Sequence, residues 1–228
     1  MTDMSGNSYD VGDFGAAGCW TLQNMRATAY YRGSGIPNGT LTKLASPTTA
    51  ETTGFTYAIP DAANNTGGTL YGYIYPARTA NTICSTADQG FSLPTGAQLQ
   101  ALEQEISANP EKYALYNPYT FNWSGTAYPT SDFYTKYGAG YSMRSWNTSY
   151  ADNGASKTAQ DGGFDFRTKG GYTLNNTYYT TGAALWVSDN FTNTTPSSGR
   201  LFMYLNSSAV PTIYPNTFGK AYVRCIKQ

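Results

Sequence analysis

The sequence predicts an α+β chain of short strands and long loops around one well-marked helix. Three observations predict it. Short runs of aromatic, β-branched and aliphatic residues recur between clusters of Gly, Pro and Asn, the pattern of strands separated by turns. One segment alone combines helical periodicity with a start signal. The composition, 21 Tyr and 24 Gly with abundant Asn, Thr and Ser and only 12% charged residues, suits a loop-rich protein and excludes a helical bundle. At 228 residues and 40% hydrophobic side chains the chain can bury a full core, and no composition break or internal repeat divides it, so residues 1–228 are read as one domain.

In chain order, the first strand is expected in "CWTLQNM" (19–25) and the next in "TLYGYIY" (69–75). The helix is expected in "LPTGAQLQALEQEI" (93–106). There Thr95 and Gln98 stand at capping-box spacing, Leu99, Leu102 and Ile106 recur on one face, and Pro110 lies just beyond the end. From there to Gly170 the chain is polar and Tyr-rich, and is read as irregular with short strands. Strands follow in "AALWVS" (183–188), "RLFMYLN" (200–206) and the closing "KAYVRCIK" (220–227). The first two of these are linked by the turn-rich "NFTNTTPSSG".

Charge and residue types narrow the function. Lys and Arg number 14 against 14 Asp and Glu, so no basic field suits nucleic acid, and no apolar run is long enough to cross a membrane. The opening "MTDMSGNSYD" has neither a positive n-region nor an apolar h-region, so the expected reading is a mature form whose targeting segment is not in this sequence. There is no His, and no carboxylate pair stands at a spacing that invites two-carboxylate chemistry, so no enzyme is expected. "DGGFDF" (161–166) and "KGGY" (169–172) lack the context of a phosphate loop and read as turns. Asp161 with Asp165, or Asp189 with Asn190, gather oxygens that suit calcium, but neither set is complete, and no cofactor is expected. The Asn-x-Ser/Thr triplets at Asn38, Asn64, Asn122, Asn147, Asn175, Asn190, Asn193 and Asn206 are read as chance products of an Asn-, Thr- and Ser-rich chain.

Four short motifs fall in a telling order. They are Trp20, Gln23, Asn24 and Met25 in "CWTLQNMR"; Cys84, then Gly90, Phe91, Leu93 and Pro94 before the helix; Trp186 and Ser188; and the closing Val223, Arg224, Cys225, Ile226 and Lys227. In this order the chain resembles the Fibrobacter succinogenes major paralogous domain family, found in surface and fimbrial adhesins of Bacteroides-type bacteria, with Phe91 in the place of a Trp. The resemblance implies a C-type-lectin-like fold: mainly antiparallel strands, long loops and one or two helices, with the last strand returning beside the first. It also implies a Cys84–Cys225 disulfide, which would restrict the unfolded chain by up to about 5 kcal/mol. The alternative is that both thiols are simply buried. Cys19, left over, is expected to be a buried thiol.

Folds of this class build their ligand face from long loops and the terminal hairpin, which here carry Trp186, Asp189, Asn190, Tyr204, Asn206, Tyr214 and Asn216. Tyr and Trp offer amphipathic contact area at low entropy cost, and Asn supplies adaptable hydrogen bonds. Trp186 in "AALWVS" has an equal reading as a core residue. Tyr204 and Tyr214 alternate with Leu205 and Ile213, and so should point away from whatever those aliphatics bury. The expected function is a non-catalytic secreted or cell-surface adhesion module that recognises a glycan or protein on a host or microbial surface. A structural assembly module, docking as a pilus-like subunit or at a fimbrial tip, is one alternative. A phage or retroelement-diversified receptor binder is the other.

Overall fold

The computed structural model describes residues 1–33, 35–49, 54–60, 71–85, 89–115, 142–143, 145, 156–167, 171–173, 178–179, 182–188, 200–205, 212–215 and 218–227. The strands run β1 (Val11–Asp13), β2 (Cys19–Thr21), β3 (Ala29–Tyr30), β4 (Gly39–Thr40), β5 (Thr42–Lys43), β6 (Thr56–Tyr57), β7 (Phe91–Ser92), β8 (Gly171–Thr173), β9 (Tyr178–Tyr179), β10 (Gly182–Val187), β11 (Arg200–Leu205), β12 (Thr212–Pro215), β13 (Phe218–Lys220) and β14 (Ile226–Lys227). The helices are α1 (Ala77–Ile83), α2 (Gly96–Ala108) and α3 (Pro110–Tyr113). This is the mixed helix-and-strand chain expected, with antiparallel pairing everywhere among the described strands except between β5 and β6.

The sheet that ties the chain together has the order β1-β2-β14-β7. Its last strand lies between the first hairpin and the strand that leads into α2, with Ile226 opposite both Trp20 and Ser92. The turn between β1 and β2 depends on Gly18, at φ +84°, where a Cβ would lie 3.0 Å from the Lys227 carbonyl. A second sheet has the order β10-β11-β12 and a third β13-β8-β9.

Helix α2 forms for the reasons legible in its sequence. Thr95 accepts from the Gln98 N–H at 3.1 Å while its own N–H donates to Gln98 Oε1 at 2.7 Å, so two of the four orphan donors at the helix start are met reciprocally. Leu99, Leu102 and Ile106 are all fully buried. Pro110 then opens α3 at a position where the missing N–H costs nothing.

Three expectations are corrected. The described part of "TLYGYIY", residues 71–75, is not a strand: Gly72 turns the chain at φ +78°, and among the described residues only the isolated bridges Ala58–Ile74 and Tyr75–Ala221 follow. A side chain at Gly72 would place its Cβ 2.6 Å from that of Asn24, so the glycine permits a close backbone approach. "KAYVRCIK" is not one strand but β13, two bridge residues and β14, with Val223–Cys225 held irregularly between them. In that gap Met25 N–H donates to the Val223 carbonyl and the Thr21 hydroxyl accepts from Cys225 N–H. Cys19 is only partly buried, because β2 begins with it at the margin of the sheet.

The segment from Ala221 to Ile226 separates two cores. Tyr222 and Ile226 join an aromatic core of Phe14, Trp20, Tyr113, Phe164 and Phe166 that also receives the buried face of α2. Ala221, Val223 and Cys225 join a second core of Met25, Tyr75, Leu93 and Trp186 with Ala77, Ala80 and Ile83 of α1. Successive side chains alternate between the two cores although Val223–Cys225 is not a strand: Tyr222 and Ile226 go one way and Ala221, Val223 and Cys225 the other. Cys225 therefore reaches Cys84, at the C-terminal cap of α1, and the two form a disulfide with both cysteines fully buried. Strand β10 partitions the same cores, with Leu185 and Val187 on the aromatic side and Trp186 on the stapled side.

Candidate functional site

Between Tyr222 and Ile226, alternation leaves one even position, and it holds an arginine. Arg224 is 1% exposed, yet fully engaged: its Nε donates to Asn24 Oδ1 at 2.9 Å, Nη2 to the Asp165 carbonyl at 2.8 Å, and Nη1 to the Phe164 carbonyl. The guanidinium lies 4.2 Å from the Phe164 ring centre and 5.1 Å from that of Phe166, so ring quadrupoles offset part of its lost hydration. Asn24 completes the arrangement, its amide donating at 2.7 Å to the Tyr71 and Arg167 carbonyls. One asparagine thus joins four separate segments of chain.

Above this floor lies a polar cleft of about 340 Å³. Asp10 and Gln23 stand on one wall, paired by Gln23 Nε2 donating to Asp10 Oδ2 at 2.7 Å and Asp10 N–H to Gln23 Oε1 at 2.8 Å. Asp165 and Arg167 stand on the other, ion-paired at 2.8 Å, with Asp165 at φ +46°. Asp and Asn tolerate that left-handed conformation better than most residues. Arg26 borders the cleft from behind, 5.7 Å from the Tyr9 ring, and its Nε is buried with no hydrogen-bond partner among the described residues. Tyr9 donates to Asp3 Oδ2 at 2.5 Å, and burial first, then the neighbouring Asp3 carboxylate, hold its phenol far above the ordinary tyrosine range. It stays neutral and serves as a donor and acceptor.

Of the residues expected at the ligand face, the structure describes Trp186 and the strand positions of Tyr204 and Tyr214. Trp186 is fully buried, and its indole N–H donates to the Tyr75 carbonyl at 2.7 Å, so of its two readings the core one describes it. A ligand at the surface cannot touch it. Asp189, Asn190, Asn206 and Asn216 lie outside the described residues. Tyr204 and Tyr214 lie in strands, Tyr204 opposite Ala183 and Tyr214 opposite Leu201.

The pair Asp161 and Asp165 also divides. Asp161 accepts from the Thr158 hydroxyl at 2.6 Å on an exposed turn, while the Asp165 carboxylate faces Arg167. Among the described residues no three His, Cys, Asp or Glu gather as metal ligands, and no helix is long and apolar enough to cross a membrane. The cleft itself was missed by sequence reasoning. Its signal was a lone charged residue in the apolar "VRCI", at a position whose neighbours alternate into two cores. No family model, no curated protein and no solved structure matches the chain.

Proposed function

We propose that the protein is a non-catalytic binding module that works outside the cell or on its outer surface, in a C-type-lectin-like arrangement, and holds a glycan or protein of a host or microbial surface. The observation that carries this reading is the way the β10–β11 hairpin is rooted. Trp186 is sunk into the stapled core, its backbone N–H donates to Tyr222 and Ser188 N–H donates to Pro94 at 2.7 Å. Tyr204 and Tyr214 stand on strands paired outward from β10, and an anchored scaffold lowers the ordering cost of binding; with Asp189, Asn190, Asn206 and Asn216, near them in sequence, they make up the proposed ligand face. The Cys84–Cys225 bond supports an oxidising, extracytoplasmic location. The return of the last strand beside β2, in the first hairpin, supports the lectin-like arrangement.

Adhesion to cells and binding to a glycan array test the reading with Tyr204→Ala and Tyr214→Ala. Each variant should lose about 1 to 3 kcal/mol of binding while the melting temperature stays nearly fixed. Undiminished binding by a folded double variant would remove the hairpin from the ligand face.

A further inference from the structure

We propose that the cleft above Arg224 is a second binding site, for one neutral sugar residue, in which the Asp10–Gln23 pair reads two hydroxyl groups on neighbouring carbons and Gln160 meets the ring at the rim. The pair is built before any ligand arrives. Leu22 N–H donates to the Asp10 carbonyl at 2.9 Å, which sets Asp10 opposite the residue that precedes Gln23. Asp10 N–H then donates to Gln23 Oε1 at 2.8 Å and Gln23 Nε2 to Asp10 Oδ2 at 2.7 Å, so each side chain holds the other. These bonds use one carboxylate oxygen and one amide hydrogen. Asp10 Oδ1 and the second Nε2 hydrogen have no partner among the described residues. An acceptor and a donor on one fixed unit match a vicinal diol, in which one hydroxyl donates while its neighbour accepts. Because neither side chain has to be ordered on binding, more of the hydrogen-bond energy remains as affinity.

The rest of the lining suits a neutral ring. Arg167 is ion-paired with Asp165, Arg224 donates to Asn24 and two carbonyls, and Arg26 lies over the Tyr9 ring, so the contacts made within the protein call for no anion from outside. Leu22 and Ala159 supply apolar lining for the C–H groups of a ring. Gln160 lines the cleft from an exposed turn that the Thr158 hydroxyl closes by donating to Asp161 Oδ2 at 2.6 Å, and its amide has no partner among the described residues. At about 340 Å³ the cleft is at the small end of ligand pockets, room for one sugar ring.

The test is titration calorimetry of the whole chain with the methyl α-D-glycosides of glucose, galactose and mannose, and with cyclohexanol, which has a ring and one hydroxyl but no diol. Saturable binding of at least one glycoside is expected, at least tenfold tighter than that of cyclohexanol. In Asp10→Asn the new amide oxygen must face the Gln23 donor, which leaves an NH2 group where the free acceptor stood, so glycoside affinity should fall at least tenfold. Asp10 is exposed, and the melting temperature should stay nearly fixed. Gln160→Trp should block the mouth of the cleft, and it decides the matter if Asp10→Asn does not fold. No saturable binding of any of the three glycosides, equal binding of cyclohexanol, or wild-type affinity in folded Asp10→Asn or Gln160→Trp would each overturn the assignment. Adhesion through the hairpin is unaffected by Asp10→Asn, and glycoside binding in the cleft is unaffected by Tyr204→Ala or Tyr214→Ala, so the two sites fail separately.

Discussion

On one face of the segment from Ala221 to Ile226 the neighbours are held by a covalent bond; on the other they are held by a buried guanidinium and a set of stacked rings. The stapled side gathers Ala77, Ala80 and Ala221 with the large side chains of Tyr75 and Trp186 around the Cys84–Cys225 bond. The aromatic side has Phe14 stacked on Tyr113 at 5.2 Å, and Phe14 and Trp20 set edge-on to Phe164 at 5.8 and 5.9 Å. The difference teaches that one strand can close a chain by two unlike means. The disulfide spans 141 residues and acts largely by restricting the unfolded chain, whereas Arg224 acts only in the native state, through contacts that exist nowhere else.

Removing the arginine is therefore the hardest blow to the comparison. Arg224→Met leaves Asn24 Oδ1 and the Phe164 and Asp165 carbonyls without their donor and should cost about 3 to 5 kcal/mol in chemical denaturation with the disulfide intact. A cost below about 1 kcal/mol would mean that the aromatic side does not depend on it. On the stapled side, the paired Cys84→Ser and Cys225→Ser substitutions should cost about 2 to 5 kcal/mol, and reductant should lower the wild type by a similar amount. Equal stability with and without reductant would remove the staple from the account.

Helix α2 sharpens the comparison from the aromatic side. Leu102→Ala deletes a fully buried side chain and should cost about 2 to 5 kcal/mol; a neutral result would place another face of the helix against the core. Beside that face, Glu103 Oε1 is buried with no hydrogen-bond partner among the described residues, and burial pushes the carboxyl up to about 8 from 4.5. The unfolded chain releases this proton near pH 4.5 while the folded chain keeps it to about pH 8, so stability falls as pH rises across that window and levels off above it. The loss should be on the order of 2 kcal/mol once the side chain swings toward water, and Glu103→Gln should flatten that part of the pH profile of the melting temperature. The smallest effect is Thr95→Ala, about 1 kcal/mol for the lost cap.

Legibility in the sequence followed the source of each element's stability. Helix α2 was legible because its cap and its buried stripe are both local: Thr95, Gln98, Leu99, Leu102 and Ile106 lie within one short span. Strands β10 and β11 were legible as unbroken runs of aliphatic and aromatic residues. Helix α1 was not, since "ARTANTI" has no side-chain cap and is short; Ala77, Ala80 and Ile83 packing on the stapled core hold it instead. "TLYGYIY" misled because the alternation was real but Gly72 and Asn24 impose a turn from outside the segment. Asn24 and Arg224 were visible as letters of two motifs, yet the cleft they support depends on a contact between residues 200 positions apart. Spacing alone does not encode such a contact.

The central claim is that alternation along the segment from Ala221 to Ile226 sends Cys225 to the stapled side and Arg224 to the other, and mass spectrometry of a tryptic digest made without reductant tests it most directly. The predicted result is residues 225–227 joined through Cys225 to residues 79–112, with the Cys19 thiol free in residues 1–26. A peptide in which Cys19 is joined to Cys225, or exported protein with Cys84 and Cys225 both free, would contradict the claim, because Cys225 would then not be held on the stapled face.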